Sequence, residues 1–305
     1  MTPYQSGIIA EPSSDAFFIT LNVKRSLISE FKNALAAIPE LVSKVQAEFA
    51  DAELHAAVGF SKLIWSELDI KQPLELDLFP SLKGPETEIS PTDVDLVLHI
   101  RSMRHDASFQ LSQNLFNLFS DCVELVEEVQ CFLYKDSRDL TGFVDGTENP
   151  QGEQRKAVAL VGDEDAHYRH GSYFNLMRFS HNLAKWHKKD LKTQEDVYGR
   201  TKVDNEEYPS AEKSPHAHTK RTSLKDQHGK SIEILRQSMP YGNLTDQGLM
   251  FASYGKSPSH FNLMLESMIM GDEQGHTDHL MKYTTAKTAQ AFFMPPNSWF
   301  SKFQQ

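Results

Sequence analysis

The sequence predicts an α+β fold made of two similar halves. Three observations carry this expectation. Strand-like runs stand beside helical stretches twice along the chain. No low-complexity linker separates the two sets, so the halves, residues 1–150 and 151–305, are expected to pack tightly. An apolar content of 39% over 305 residues supplies the core for one large domain or two ordinary ones.

The first half opens with a strand candidate, FFITLNV (Phe17 to Val23). A helical stretch from Ser26 to Phe49 follows, broken near Pro39, where a ring without an N–H interrupts the hydrogen-bond ladder. Leu54 to Ser61 is the second strand candidate and Asp93 to Ser102 the third. In the third, Val94, Leu96, Leu98 and Ile100 alternate with Asp95, Val97, His99 and Arg101, so one face is wholly apolar. Asp106 is placed to cap the next helix, whose apolar positions Phe109, Leu115, Phe116, Leu118 and Phe119 favour one side. A fourth strand, ELVEEVQCFLYK, leads into Asp-Ser-Arg-Asp.

The second half repeats the rhythm. Strands are expected at Ala157 to Gly162, Ser172 to Ser180, Ser231 to Ser238 and Gly248 to Gly255. Helices are expected over Leu183 to Gly199 and Pro258 to Met270, and Tyr208 to Gln227 reads as a long polar loop of the kind that often carries function.

Composition narrows the function. With 31 Lys+Arg against 42 Asp+Glu the formal charge is −11, which argues against nucleic acid or an anionic membrane as partner. No run approaches a membrane span, and MTPYQSGIIAEPSSDAFF lacks the basic and apolar regions of a signal peptide, so the cytoplasm is the expected compartment. The two cysteines, Cys122 and Cys131, make no disulfide framework. Signatures of nucleotide-binding, zincin, α/β-hydrolase and thioredoxin sites are missing. Histidine is concentrated from His167 onward, which points any metal or acid–base centre to the second half.

Three stretches hold candidate chemistry. TGFVDGTENP places Asp145 between Gly142 and Gly146, either as a turn carboxylate bonding nearby amides or as a reacting group. In SIEILRQSMPYG, strand alternation puts Arg236 with Ile232, Ile234 and Ser238, where a guanidinium needs an anion or acceptor, or a route to water. In SPHAHTKRTSL, His216 and His218 point opposite ways if extended, so only one can face a given pocket. Neutral imidazole is a common iron ligand, but spacing alone selects neither histidine.

Together these stretches resemble the dye-decolorizing peroxidases. GFVDG matches that family's GxxDG motif, AHTKR its proximal-histidine segment and LRQSMPYG its distal-arginine strand, in the family's order. Further likeness runs through DSRDLTGFVDGTENP, GSYFNLMRFSHNLAKW, QEDVYGRTK, TTAKTAQAFFMPP and PTDVDLVLH, and covers most of the chain. It is similar to the compact bacterial cytosolic class B branch.

The resemblance implies two ferredoxin-like halves with antiparallel sheets flanked by helices, and haem b bound in the second half. It implies His218 as axial iron ligand. An acidic partner is expected before the last strand, with Asp278 as the best match and Asp272 and Glu273 as competitors. Asp145 would shuttle a proton and Arg236 would stabilise negative charge as hydrogen peroxide is split. Arg200 would contact a haem propionate, Asn149 would lie on the haem-edge loop, and Ser238 and Phe251 would line the distal pocket. The implied activity is one-electron oxidation of small organic donors such as dyes or phenols, by a homo-oligomer. The competing reading is haem binding or iron handling without peroxidase function. Thr219, where the family more usually has a branched aliphatic residue, departs from the pattern.

Overall fold

The computed structural model describes residues 2–119 and 121–304. The first half runs β1 (Asp15–Val23), α1 (Ile28–Leu35), α2 (Ile38–Glu48), β2 (His55–Phe60), α3 (Lys62–Trp65), β3 (Leu82–Lys83), β4 (Glu88–Ile89), β5 (Leu96–Ser102), α4 (His105–Phe119) and β6 (Val123–Phe132). The second runs α5 (Glu153–Ala159), β7 (Ser172–His181), α6 (Leu183–Trp186), α7 (Leu191–Tyr198), α8 (His218–Thr222), β8 (Leu235–Arg236), β9 (Met239–Gly242), β10 (Gln247–Gly255), α9 (Ser259–Ile269) and β11 (Thr284–Met294).

The first four long strands lie in the order β2-β5-β1-β6, all antiparallel. In the second half β10 pairs with β7 on one edge and with β8 and β9 in succession on the other, while β7 also pairs with β11. Taken in chain order, both halves read second, third, first, fourth strand, with helices in the first and third connections. That is the ferredoxin-like arrangement, present twice. Two thin seams close the sheets into one barrel: Phe60 faces Phe293, and Cys131 faces Tyr241.

Strand alternation sorts side chains to the barrel's two surfaces. Phe17, Ile19 and Leu21 of β1, with Leu96, Leu98 and Ile100 of β5, pack outward under α1, α2 and α4. Ala16 and Phe18 point inward, where they meet Ala57, Val97, Phe174, Leu176 and Tyr254. Closure explains why β5 is buried throughout. Its polar face looks into the barrel rather than into water. His99 is fully buried there, hydrogen-bonded through Nδ1 to Tyr254 Oη at 2.7 Å and stacked on Phe18 at 4.3 Å. Arg101 donates to Ser13 Oγ and Gln237 Oε1, and burial pulls its guanidinium down to about 10.

Several element boundaries differ from expectation. Ala157 to Gly162 is not a strand: Glu153–Ala159 is a helix, whose Arg155 reaches back to the carbonyls of Ile9 and Ala10. A short apolar run does not distinguish the two. The expected helix over Leu183 to Gly199 is two helices, because Asp190 caps a new start by accepting from Thr193 N. The strand at Ser231 to Ser238 contracts to β8. The polar loop contains α8, which begins at His218. Asp106 sits inside the first turn of α4, paired with Arg104, rather than capping it.

Candidate active site

On the outer face of the second sheet, under α9, lies a cavity of about 370 Å³. Met177, Phe179, Phe251, Phe261, Met264 and Met268 give it apolar walls, and Asp145, Arg200, His218 and Arg236 bring charge or an imidazole to it.

The Asp145 loop is fixed from beneath. Arg138 donates to the carbonyls of Gly142 and Lys202, and Asp145 N donates to Ser137 O. Both flanking glycines have positive φ, +94° at Gly142 and +79° at Gly146, a conformation that favours glycine. At Gly142 a Cβ would also fall 2.5 Å from Lys202 Cε, so this glycine makes room for a lysine stem. Asp145 is half-buried, and its Oδ1 accepts from Gly146 N at 2.7 Å. The turn chemistry is thus real, and it occupies one carboxylate oxygen only.

Arg236 lines the same cavity from β8. Asn149 lies outside the lining. Its side chain accepts from Arg236 N at 2.9 Å and donates to Arg236 O at 2.8 Å. Ser238 also lies outside the lining: its Oγ accepts from Ala252 N at the interruption between β8 and β9, where a hydroxyl replaces a ladder partner. Phe251 is in the wall.

His218 opens α8 and lines the cavity. Its Nδ1 lies 2.6 Å from Asp278 Oδ2, and Asp278 is fully buried, its Oδ1 accepting from Leu280 N at 2.8 Å. An acceptor-only carboxylate at Nδ1 fixes the tautomer, so Nε2 keeps its lone pair. Nε2 has no hydrogen-bond partner among the described residues. The competitors fall elsewhere: Asp272 binds Arg221 and His276, and Glu273 is exposed. His216 points away, donating Nδ1–H to Thr277 O and stacking on His279 at 3.9 Å. Asp278 touches His218 but does not line the cavity itself.

Arg200 is buried at the rim, near Glu148 at 3.4 Å and Glu207 at 3.7 Å. Its Nε is buried without a hydrogen-bond partner among the described residues.

Sequence reasoning missed one polar chain in this wall. Tyr198 Oη lies 2.7 Å from Thr141 Oγ1, which donates to Asp139 Oδ2, while Asp139 Oδ1 meets His181 Nε2 at 3.1 Å. Burial alone would raise the Asp139 carboxyl, but the charge and hydrogen bond of His181, with Thr141, hold it below the usual range. Burial, with Asp139 nearby, pushes the Tyr198 phenol up. The Tyr198 ring stands edge-on to His218, centroids 6.0 Å apart. The only advance signal was an aspartate just before the GxxDG motif and a histidine at a strand end.

The description "Dyp-type peroxidase, N-terminal" matches residues 5–133, and "Dyp-type peroxidase, C-terminal" matches residues 136–299. The chain belongs to the Dyp-type peroxidase family. A dye-decolorizing peroxidase of Mycolicibacterium paratuberculosis is 33% identical over 94% of this chain and 82% of its own length. Among solved structures, a putative Dyp-type peroxidase of Shewanella oneidensis is 42% identical, covers all of both chains and superposes with a TM-score of 0.97. A variant of DypB from Rhodococcus jostii RHA1, solved in complex with heme, is 30% identical over 97% of each chain, with a TM-score of 0.93. The likeness lies with the class B-like branch of Dyp-type peroxidases.

The residues fit such a group. Among the described residues no cluster of three or more His, Cys, Asp or Glu is placed to hold a metal ion. His218 offers a single imidazole nitrogen, which would suit an iron held mainly by a macrocycle. The apolar walls suit a flat ring, and the unpartnered Arg200 Nε suits an anionic substituent.

Proposed function

We propose that this Dyp-type peroxidase binds haem b, reduces hydrogen peroxide and takes single electrons from small organic donors such as dyes or phenols. One observation carries the reading: Asp145, Arg236 and an Asp278-braced His218 meet at a single apolar cavity. Haem b, when bound, would supply the iron chemistry for peroxide reduction.

The chain's own residues do the rest. His218 would hold the iron through Nε2, and Asp278 holds the ring by accepting Nδ1–H, which makes the imidazole a better donor. Asp145 takes a proton on Oδ2 and returns it, since Oδ1 stays bound to Gly146 N–H. Arg236 stays protonated and so shuttles no proton; it stabilises negative charge as the O–O bond breaks. Arg200 would offer its unpartnered Nε to a propionate, and Phe251 would form part of the apolar wall beside it. We place the boundary between halves at residue 150, so the proton carrier belongs to the first half and the iron ligand to the second. Homo-oligomeric assembly and residence in the cytoplasm belong to the same reading. No helix among the described residues is long and apolar enough to cross a membrane.

Haem reconstitution tests this. The loaded protein should show a Soret band and peroxide-dependent oxidation of a phenol or dye, and Asp145→Ala and Arg236→Leu should slow the peroxide step by about a hundredfold or more. Loaded protein inert to peroxide at both acidic and neutral pH refutes the proposal.

A further inference from the structure

Asp145 and Arg236 share a cavity but do not pair. No nitrogen–oxygen contact within 4.0 Å joins their side chains among the described residues. An aspartate and an arginine facing one partly enclosed cavity attract each other. Closed into an ion pair, the two would neutralise each other, and the free carboxylate oxygen would be lost. Something holds them apart.

The fold places Asn149 between their backbones. Gln237 N donates to Ala252 O, so at Arg236 the N–H and C=O point away from β10, to the open edge of β8. An open edge needs partners. Asn149 supplies both at once, Oδ1 accepting from Arg236 N–H and Nδ2 donating to Arg236 O. For one residue, a side-chain amide stands in for a neighbouring strand. At its own backbone Asn149 N donates to Gly146 O, closing the turn that directly follows Asp145. One residue thus grips the Arg236 strand by its side chain and the Asp145 turn by its main chain.

We infer that Asn149 is a positioning residue for peroxide cleavage, a spacer that keeps the Asp145 carboxylate and the Arg236 guanidinium as two separate groups. The inference rests on the proposed function. It gives Asn149, expected on the haem-edge loop, a role exerted through Arg236.

The test uses the full chain, with and without haem. Without haem, amide hydrogen exchange over residues 231–238 should be faster in Asn149→Ala than in wild type. With haem, Asn149→Ala should keep its Soret band, weaken fluoride binding to the ferric protein about tenfold and slow the peroxide step to a similar degree, as expected for losing one hydrogen bond's alignment. Fluoride reports equilibrium hydrogen bonding from the Arg236 side, and no turnover is needed to read it. Asn149→Asp keeps the acceptor for Arg236 N–H and loses the donor to Arg236 O, so it should fall between the two. It also decides the matter if Asn149→Ala fails to fold or to load haem. In an Arg236→Leu background, Asn149→Ala should change fluoride affinity less than about twofold, because the residue acts through Arg236. Equal losses in both backgrounds, or unchanged fluoride affinity with Arg236 present, overturn the inference. Unchanged exchange over 231–238 overturns the clamp itself. A wild-type holoprotein inert to peroxide overturns the proposed function, while the exchange and fluoride results still decide the role of Asn149.

Discussion

Asp278→Asn changes one heavy atom of a fully buried side chain and should invert the chemistry of His218. In the native protein Oδ1 accepts from Leu280 N at 2.8 Å and Oδ2 accepts from His218 Nδ1 at 2.6 Å. An asparagine has one acceptor oxygen for these two donors. With that oxygen on Leu280 N–H, the new NH₂ faces Nδ1, which must then accept, and the ring proton moves to Nε2. A protonated Nε2 has no lone pair for iron. With the amide flipped, His218 keeps its tautomer, but Leu280 N–H meets an NH₂, and an unsatisfied buried donor costs about 1–3 kcal/mol. Either route also removes the carboxylate's charge. Loss of such a partner behind a metal ligand typically costs about 10- to 100-fold in affinity. Titrating the haem-free chain with haem and following the Soret band measures it, with circular dichroism to show that the isosteric change leaves the fold in place. Affinity within about twofold of wild type would refute the claim that Asp278 sets the His218 tautomer.

Two further outcomes follow from buried polar groups. Burial, with Arg101 nearby, holds His99 well below the ordinary histidine range, so the folded chain refuses a proton that the unfolded chain accepts near pH 6.5. The stability that neutral His99 contributes is therefore fully present above that pH and is lost as the pH falls below it. Replacing His99 and Tyr254 together with Phe should remove that share of the pH dependence in urea unfolding of the haem-free chain; an unaltered dependence sinks the argument. Asp139→Ala strips a partner from the His181 pair, both side chains under a tenth exposed, and should cost roughly 3–5 kcal/mol in denaturant unfolding. A loss below about 1 kcal/mol would mean the pair behaves like a solvent-screened surface contact.

Local pattern sufficed where one face of an element alone decides its neighbours. β5 was legible from alternation, and β1, β10 and α9 as strand and helix candidates. Asp145, His218 and Arg236 were legible as motifs in order. What sequence could not show is closure. Alternation in β5 marked His99 and Arg101 as a polar face, and only the barrel makes that face an interior. Arg236 and Ser238 share strand parity, but the break after β8 turns the Ser238 hydroxyl to Ala252 N, a fact of hydrogen bonding rather than of spacing. Asp278 was the best match by resemblance, but spacing gave no physical reason to prefer it over Asp272 and Glu273. Arg221, far off in sequence, takes Asp272, and a 3₁₀ turn capped by Asp278 aims that carboxylate at His218.

The doubled pattern does not make two independent halves. Gln237, next to Arg236, accepts from Arg101 of β5 and donates to Ile8 O, so first-half groups brace the strand that carries the cavity's guanidinium. Arg155 of the second half likewise ends on Ile9 and Ala10 carbonyls. Cut at residue 150, the second half would expose the edges of β9 and β11, leave Gln237 without either partner and lose Asp145 altogether. Unpaired edges and orphaned buried amides are both costly. The seams are one residue pair wide, yet across this junction the cavity receives Asp145 and the strand carrying Arg236 keeps its brace. The ferredoxin-like unit is the repeat of the architecture, and the closed barrel is the smallest body that can hold the site.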